Sequence, residues 1–331
     1  MKKLLKVLGI LLLVVLVAVV GVAAYVKLAL PDVGPAPDIK VTSTADAIQR
    51  GSYLANNVML CMDCHSTRDW SKFSGPLVDG TLGKGGEIFD KRAGFPGTYY
   101  SANITPAGLT DWTDGELFRA ITTGVRKNGK PIFPVMPHHN YGLLDEQDIK
   151  AVIAYLRTLP AIENKVPESE SDFPMNFIIN TIPAKAKLAP RPPKSDSVAY
   201  GKYMATAASC GDCHTPFEKG SLVMEQFMGG GRRFDMPWGT LISSNISPDP
   251  ETGIGNWTRE AFLNRFRVYR DSAAAHQTVS GPTEFNTIMP WTMYAGMTDE
   301  DLSAIYTYIK TLKPVKNKVV KFTPATASAK P

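Results

Sequence analysis

The chain has 331 residues, of which 44% are hydrophobic and 20% are charged, and it carries a formal net charge of +5. This length suits about two domains, and the composition is that of a globular rather than a disordered protein. Lysines and arginines are spread along the chain without a block of interleaved aromatics, so we expect no nucleic-acid partner.

Residues 1–30 differ from the rest of the chain. Lys2, Lys3 and Lys6 precede an uncharged run of twenty residues, Val7 to Val26. As a helix this run would span about 30 Å, the thickness of the hydrocarbon core of a bilayer. A signal peptide has a shorter apolar region of about 7–15 residues, so an uncleaved membrane anchor is favoured over a signal cleaved near "GVAAY". In either case the lysines favour a cytoplasmic N-terminus and an exported body.

A proline-rich spacer over residues 31–45 follows, with Pro31, Pro35 and Pro37 close together. Because prolines hold a chain semi-extended, this spacer would lift the exported body off the membrane. We therefore expect an inner-membrane protein with a single N-terminal anchor, whose soluble part faces the periplasm.

All four cysteines of the chain lie in two copies of one motif, "CMDCH" and "CGDCH". The two residues between the cysteines differ in identity at their first position, whereas the cysteines and the histidine are kept. The cysteines and histidines of the two copies are Cys61, Cys64, His65, Cys210, Cys213 and His214.

The motifs lie within a longer internal duplication. Three blocks recur in the same order: the stretch that runs into CxxCH, a block with "NITP" or "NISP" and a tryptophan, and a block with Met-Pro. We expect the linker between the copies to wrap over the first one, because its apolar residues need cover. The predicted boundaries are an anchor over 1–30, a spacer over 31–45, a first domain over 46–163, a linker over 164–196, a second domain over 197–317 and a flexible tail over 318–331.

The last block of each copy has the clearest helical pattern. Its apolar residues line one face of a helix, and they are Ile149, Val152, Ile153 and Leu156 in the first copy and Leu302, Ile305, Tyr306 and Ile309 in the second. Asp145 and Thr298 are the predicted N-caps, and Pro160 and Pro314 are the predicted stops. With further helices before each motif and at "DGELFRAI" and "REAFLNRF", the predicted fold is all-α with an N-terminal transmembrane helix.

Three chemistries use a CxxC pair. A zinc site of this type has its second CxxC about 15–20 residues on, and a thioredoxin-type disulfide belongs in a βαβ setting; neither explains the histidine. Covalent haem does, because two thiols one helical turn apart can add to the two vinyl groups of a porphyrin while the adjacent histidine binds the iron. We therefore predict two haem c groups. The predicted attachment sites are Cys61, Cys64, Cys210 and Cys213, and the predicted iron ligands within the motifs are His65 and His214.

Met136 and Met289 are the predicted second axial ligands. Each is followed by proline and precedes the last predicted helix of its copy. A thioether is a soft ligand that favours ferrous iron, so ligation by histidine and methionine suits electron transfer; core packing is the alternative role of either methionine. The nearest histidine, His138, has no counterpart in the other copy, and we expect it on the rim of the site.

Residues from about 46 to 317 resemble class I c-type cytochromes, and the whole chain resembles membrane-bound dihaem cytochromes c. Its "NITP…DW" and "FPVMPHHNY" segments are similar to the multihaem cytochrome subunits of periplasmic alcohol and gluconate dehydrogenases, which usually have three haem motifs. The resemblance implies tandem cytochrome c domains in which Gly51 and Gly201 lie where the first helix crosses the last. Asn103 and Asn245 either contact haem propionates or form a turn.

The predicted function is one-electron transfer at the periplasmic face of the membrane, rather than catalysis by this chain alone. The donor would be a dehydrogenase or a quinol-oxidising complex, and the acceptor a terminal oxidase or a soluble cytochrome. The alternative is a dihaem cytochrome c peroxidase, which needs one haem with an open sixth position. The matched methionines are against that alternative, because neither copy lacks its predicted ligand.

Overall fold

The structure is a computed structural model, which describes residues 1–279, 281 and 284–325. A π-helical turn, Leu54–Val58, joins the second helix to the first motif. The α-helices in chain order are α1 (Lys2–Leu28), α2 (Ala45–Tyr53), α3 (Cys61–Cys64), α4 (Asp114–Thr123), α5 (His138–Tyr141), α6 (Glu146–Leu156), α7 (Met175–Ile178), α8 (Ser197–Ala207), α9 (Cys210–His214), α10 (Arg259–Arg267), α11 (Ser272–Ala275), α12 (Trp291–Tyr294) and α13 (Asp299–Lys310).

Two helices cross closely in each half of the chain, α2 with α6 and α8 with α13. A β-carbon on Gly51 would lie 1.8 Å from the carbonyl oxygen of Ala151, and one on Gly201 would lie 1.9 Å from that of Ala304. No other residue type fits at these crossings. The predicted role of the two glycines is confirmed, and each crossing leads directly to a CxxCH motif.

The helices α6 and α13 form as predicted. The Asp145 carboxylate accepts a hydrogen bond from the backbone of Gln147 at 2.7 Å, and the Thr298 hydroxyl accepts one from Asp301 at 3.2 Å. The predicted apolar faces form the core, although Tyr306 in the second series is only half-buried. Both helices end a few residues before the prolines that were predicted to stop them.

The prediction of an all-α fold is incomplete, because the described residues also form three small antiparallel sheets. They lie mostly between each motif and the next long helix, in stretches rich in glycine and aromatic residues that have no helical period. Their strands are β1 (Ile88–Phe89), β2 (Gly97–Tyr100), β3 (Glu170–Ser171), β4 (Phe217–Glu218), β5 (Ser221–Leu222), β6 (Arg233–Met236), β7 (Gly239–Ile242) and β8 (Phe322–Pro324), in the orders β1-β2-β3, β4-β5 and β6-β7-β8.

Two of these strands come from segments outside the predicted domains. Strand β3, in the linker, pairs with β2 of the first half with Gly97 opposite Ser171, so the linker does wrap over the first half. Strand β8 pairs with β7, and it lies in the segment predicted to be a flexible tail. That prediction is wrong for residues 322–324, and residues 326–331 lie outside the described part of the chain.

The two halves are joined by reciprocal tyrosine–aspartate hydrogen bonds. The Tyr203 hydroxyl, on α8, donates to Asp148 on α6 at 2.7 Å, and the Tyr53 hydroxyl, on α2, donates to Asp301 on α13 at 2.5 Å. Both aspartates are 2% exposed. Arg50 adds a two-point ion pair to Asp148 at 2.8 and 2.9 Å. Each half therefore donates a hydrogen bond to a buried carboxylate of the other.

We expect Tyr203→Phe to lower the free energy of unfolding by about 1.5–3 kcal/mol, because it removes a hydrogen bond to a buried charged group. Chemical denaturation at neutral pH measures this change. Tyr100→Phe, at a half-buried position of β2, is the matched control and should have little effect. Equal stability of the Tyr203 variant and the wild type would contradict the assigned role of the interface.

The Tyr203→Phe difference should also depend on pH. Burial raises the pKa of Asp148, but the hydrogen bonds from Arg50 and Tyr203 outweigh burial and hold that pKa below its ordinary value. A depressed carboxyl pKa contributes stability above the unfolded-state value of about 3.9, and this contribution is lost as the pH falls through the folded-state value. The difference between variant and wild type should therefore persist at neutral pH and shrink below about pH 4.

Candidate functional site

Each CxxCH motif starts directly after a residue with a left-handed backbone. Leu60 has φ 56° and Ser209 has φ 51°, although neither is glycine, and such a conformation costs about 1–2 kcal/mol. The same sharp turn therefore separates α2 from α3 and α8 from α9. The two motifs share their local backbone geometry as well as their sequence.

The four thiols differ in exposure. Cys61, Cys64 and Cys210 are half-buried, whereas Cys213 is exposed. Burial raises the pKa of Cys61 and of Cys210 to about 12, so both are neutral thiols at neutral pH. The first motif is thus more enclosed than the second, a difference that the sequence did not indicate.

The motif histidines are held in one orientation by matched hydrogen bonds. Nδ1 of His65 lies 2.7 Å from the carbonyl oxygen of Ala102, and Nδ1 of His214 lies 2.8 Å from that of Ser244. A carbonyl can only accept, so Nδ1 carries the proton and Nε2 keeps the lone pair that binds a metal. Burial lowers the pKa of both imidazoles, which favours the neutral, ligating form. These residues fit a haem iron.

Met136 and Met289 occupy equivalent turns. Their carbonyls accept hydrogen bonds from the backbone N–H groups of His138 and Trp291, two residues further on, at 2.8 Å in both halves. Both methionine side chains are half-buried and packed against the hydrophobic core. The sequence match between these two residues is therefore a match in backbone structure.

In each half one tyrosine connects the methionine segment, residues 136–141 or 289–294, to the motif of that half. These tyrosines were not identified from the sequence. The Tyr141 hydroxyl donates to the carbonyl of Met59, and the Tyr294 hydroxyl donates to that of Ala208 at 2.5 Å. Each acceptor lies two residues before the first cysteine of its motif. The sequence does indicate this pair, because Tyr141 and Tyr294 are separated along the chain by the same interval as Met136 and Met289.

His138 is 2% exposed, so its expected place on the rim is wrong. Its ring lies against Gly124, where a β-carbon would stand 2.4 Å from Cδ2. Burial lowers the pKa of His138 to about 4, and Nε2 has no hydrogen-bond partner among the residues that the structure describes. His138 is therefore a neutral, enclosed side chain, packed where the second half has Trp291.

The two asparagines form turns. The Oδ1 atom of Asn103 accepts from the backbone of Thr105 at 3.0 Å, and that of Asn245 accepts from Ser247 at 2.9 Å. Their amide groups donate across to the chain that leaves the last helix of each half, at Ile162 and Val315 respectively. The structure thus favours the turn interpretation over contact with a propionate.

The methionine segment of each half also contacts the motif region of the other half. His139 Nε2 and Asn140 Nδ2 lie 2.9 and 3.0 Å from the Asp212 carboxylate, inside the second motif. In the other direction, the hydroxyl of Ser74 donates to the carbonyl of Met289 at 2.6 Å. The two candidate sites are therefore neighbours across the interface between the halves.

Comparison with known proteins agrees with this site. Residues 198–313 match the family model of cytochrome c. The matched stretch contains the second CxxCH motif and its oriented histidine, His214.

Over most of its length the chain is similar to cytochrome c subunits of bacterial dehydrogenases. It is 28% identical to the cytochrome c subunit of the quinone-dependent alcohol dehydrogenase of Gluconacetobacter polyoxogenes, over 87% of this chain and 61% of that protein. It is 26% identical to the gluconate 2-dehydrogenase cytochrome c subunit of Pantoea cypripedii, over 80% of this chain and 59% of that protein. A dihaem c-type cytochrome of Cereibacter sphaeroides is 31% identical over 38% of this chain and 42% of its own length. The chain thus spans about three fifths of the length of the first two relatives.

Proposed function

We propose that the chain is an electron-transfer protein in which residues 46–163 and 197–317 form tandem cytochrome c domains, each with one covalent haem c. The observation that carries this proposal is the matched orientation of His65 and His214, whose Nδ1 atoms are both engaged by a carbonyl and whose Nε2 atoms are left to bind iron. If His65 and His214 served only in packing, they would not need to have the same tautomer in both halves.

The residues of each half have defined roles in this proposal. The cysteines form the thioether links, and the histidine and methionine bind the iron, while the matched tyrosine fixes the methionine segment relative to the motif. When bound, the haem supplies one-electron exchange between ferrous and ferric iron. The residues are Cys61, Cys64, His65, Met136 and Tyr141 in the first half and Cys210, Cys213, His214, Met289 and Tyr294 in the second.

The names of the relatives support a dehydrogenase as the electron donor, because several of them are cytochrome subunits of alcohol, gluconate or fructose dehydrogenases. The acceptor would be a terminal oxidase or a soluble cytochrome. Electrons would enter one half and pass across the interface, since the two candidate sites are in contact through Asp212 and Ser74.

We also propose that α1 anchors the protein in the inner membrane, with the two domains in the periplasm. This helix is long and apolar enough to cross a bilayer, and none of its residues is buried. Its last turn contacts the linker, because Lys27 Nζ donates to the carbonyl of Asn176 at 2.6 Å and lies 4.7 Å from the ring centre of Phe177. This contact places the last turn of α1 against the linker.

We expect two haems on the intact protein. Produced with a cytochrome c maturation system, the chain should exceed its polypeptide mass by two haem groups. Cys64→Ser should weaken attachment in the first half and Cys213→Ser in the second, and the untouched motif is the control in each variant. Intact mass spectrometry and haem staining of denaturing gels make the measurement. An added mass of one haem or none would contradict the proposal.

Both irons should be six-coordinate and low-spin in both oxidation states. Met136→Ala and Met289→Ala should each lower the potential of one haem and open that haem to carbon monoxide, because each removes a soft ligand that favours ferrous iron. His138→Ala is the control and should leave both haems closed to carbon monoxide. Absorbance spectroscopy and redox titration decide this. A wild-type protein that has a high-spin haem and turns over peroxide would be a peroxidase instead.

The mature protein should fractionate with membranes and keep its N-terminal residues. Truncation near Pro31 should release it into the soluble fraction, because the truncation removes the twenty-residue apolar run. Fractionation and N-terminal sequencing provide the measurement. A mature chain that starts near Tyr25 would show that the segment is a signal peptide.

A further inference from the structure

Glu87 and Arg232 occupy the same place in the two halves. The backbone N–H of Glu87 donates to the hydroxyl of Ser101 at 3.0 Å, and that of Arg232 donates to the hydroxyl of Ser243 at 3.0 Å. In both halves the preceding glycine donates to the carbonyl of the same serine at 2.9 Å. One structural position therefore holds a carboxylate in the first half and a guanidinium in the second.

In the second half this position places a positive charge beside the motif. Nη1 of Arg232 donates to the backbone carbonyl of Asp212, within CGDCH, at 2.5 Å. The guanidinium lies over the rings of Phe217 and Phe234, with 4.9 and 5.5 Å to their centres. These contacts hold the cation next to the residue that precedes Cys213.

In the first half a guanidinium also reaches the motif, but it belongs to Arg68, which does not occupy the position of Arg232. Nη1 of Arg68 pairs with the Asp63 carboxylate at 3.0 Å, and both side chains are less than 10% exposed, at 7% and 9%. The same guanidinium lies 4.1 Å from the ring centre of Trp70 and interacts electrostatically with the Glu87 carboxylate. Glu87 thus adds a second carboxylate to a buried pair that already contains one.

The aspartates inside the motifs also differ in their surroundings. Asp63 faces Arg68 in its own half, and its Oδ1 atom has no partner within the described part of the chain. Asp212 turns instead toward His139 and Asn140 of the other half. The side chain at the shared position is therefore negative beside the first motif, where it is Glu87, and positive beside the second, where it is Arg232.

Charge next to a haem changes the relative stability of its two oxidation states. Ferric haem carries one more positive charge than ferrous haem, so a nearby carboxylate stabilises the ferric form and lowers the potential, and a nearby guanidinium does the opposite. Burial weakens solvent screening and makes both effects larger. A unit charge about 10 Å away, at an effective dielectric constant of about 20, changes an equilibrium constant on the order of tenfold.

We infer that Glu87 and Arg232 are an opposed pair of potential-setting residues, which lowers the potential of the first haem, raises that of the second and so biases electrons toward the second half. This inference rests on the proposed function, because it requires a haem in each half. The second half is also where a motif cysteine, Cys213, is exposed, so the bias moves the electron toward the more accessible site.

Redox titration of the full chain in detergent, with both haems attached, tests the inference. Burial raises the pKa of Glu87 above its ordinary value, so the titration is done at about pH 8. There, Glu87→Gln should raise the potential of one haem and Arg232→Gln should lower that of the other. Each variant should reduce the equilibrium constant for moving one electron from the first haem to the second, on the order of tenfold for an effective distance of about 10 Å. The signs of these shifts do not depend on the other charges, which are the same in variant and wild type.

Conservative variants separate charge from structure. Glu87→Asp and Arg232→Lys keep the charge and should return the potentials to near the wild-type values, whereas a purely structural role would leave them shifted. Glu163→Gln makes the same chemical change at an exposed site and should shift neither haem. Shifts of the opposite sign, shifts of the same haem by both variants, or no shift would overturn the inference while leaving the proposed function intact. A wild-type protein without two covalent haems would overturn both.

Discussion

The hydrogen bonds that Tyr53 and Tyr203 donate to Asp301 and Asp148 hold the two halves in one arrangement. A buried carboxylate left without partners is strongly destabilising. Each aspartate has a donor in its own half, Arg50 for Asp148 and Tyr200 for Asp301, and the tyrosine of the other half adds one more. The aspartates lie in the first turns of α6 and α13, and the methionine segments come just before these helices. The interface therefore also sets where each methionine segment lies.

Each candidate site is assembled within its own half but completed at this interface. The carbonyls of Ala102 and Ser244 orient the motif histidines, and Tyr141 and Tyr294 connect each methionine segment to its own motif. The same methionine segments contact the motif region of the opposite half. Site geometry and the docking of the halves are thus coupled, which suits a molecule that passes an electron from one half to the other.

The two copies have diverged at positions that share one backbone. The enclosed His138 corresponds to Trp291, and Glu87 corresponds to Arg232, although the hydrogen bonds that hold the main chain are the same in both halves. The sheets differ as well, because the first half borrows β3 from the linker and the second borrows β8 from the C-terminal segment. The duplication supplied a common backbone framework. The two sites differ in the charge and the burial of the side chains at matched positions.

Local chemistry in the sequence was enough to predict the duplicated plan, the two motifs, the caps at Asp145 and Thr298, and the glycines at the helix crossings. Each of these follows from the spacing of residues along the chain or from a residue type with a specific local role. The all-α prediction missed the short strands, since two or four residues carry no readable period and their pairing partners lie far along the chain. The burial of His138, the tyrosine–aspartate interface and the opposed placement of Glu87 and Arg232 were decided only by the tertiary structure. Burial and charge proximity depend on which distant segments come together, and a linear pattern does not contain that information.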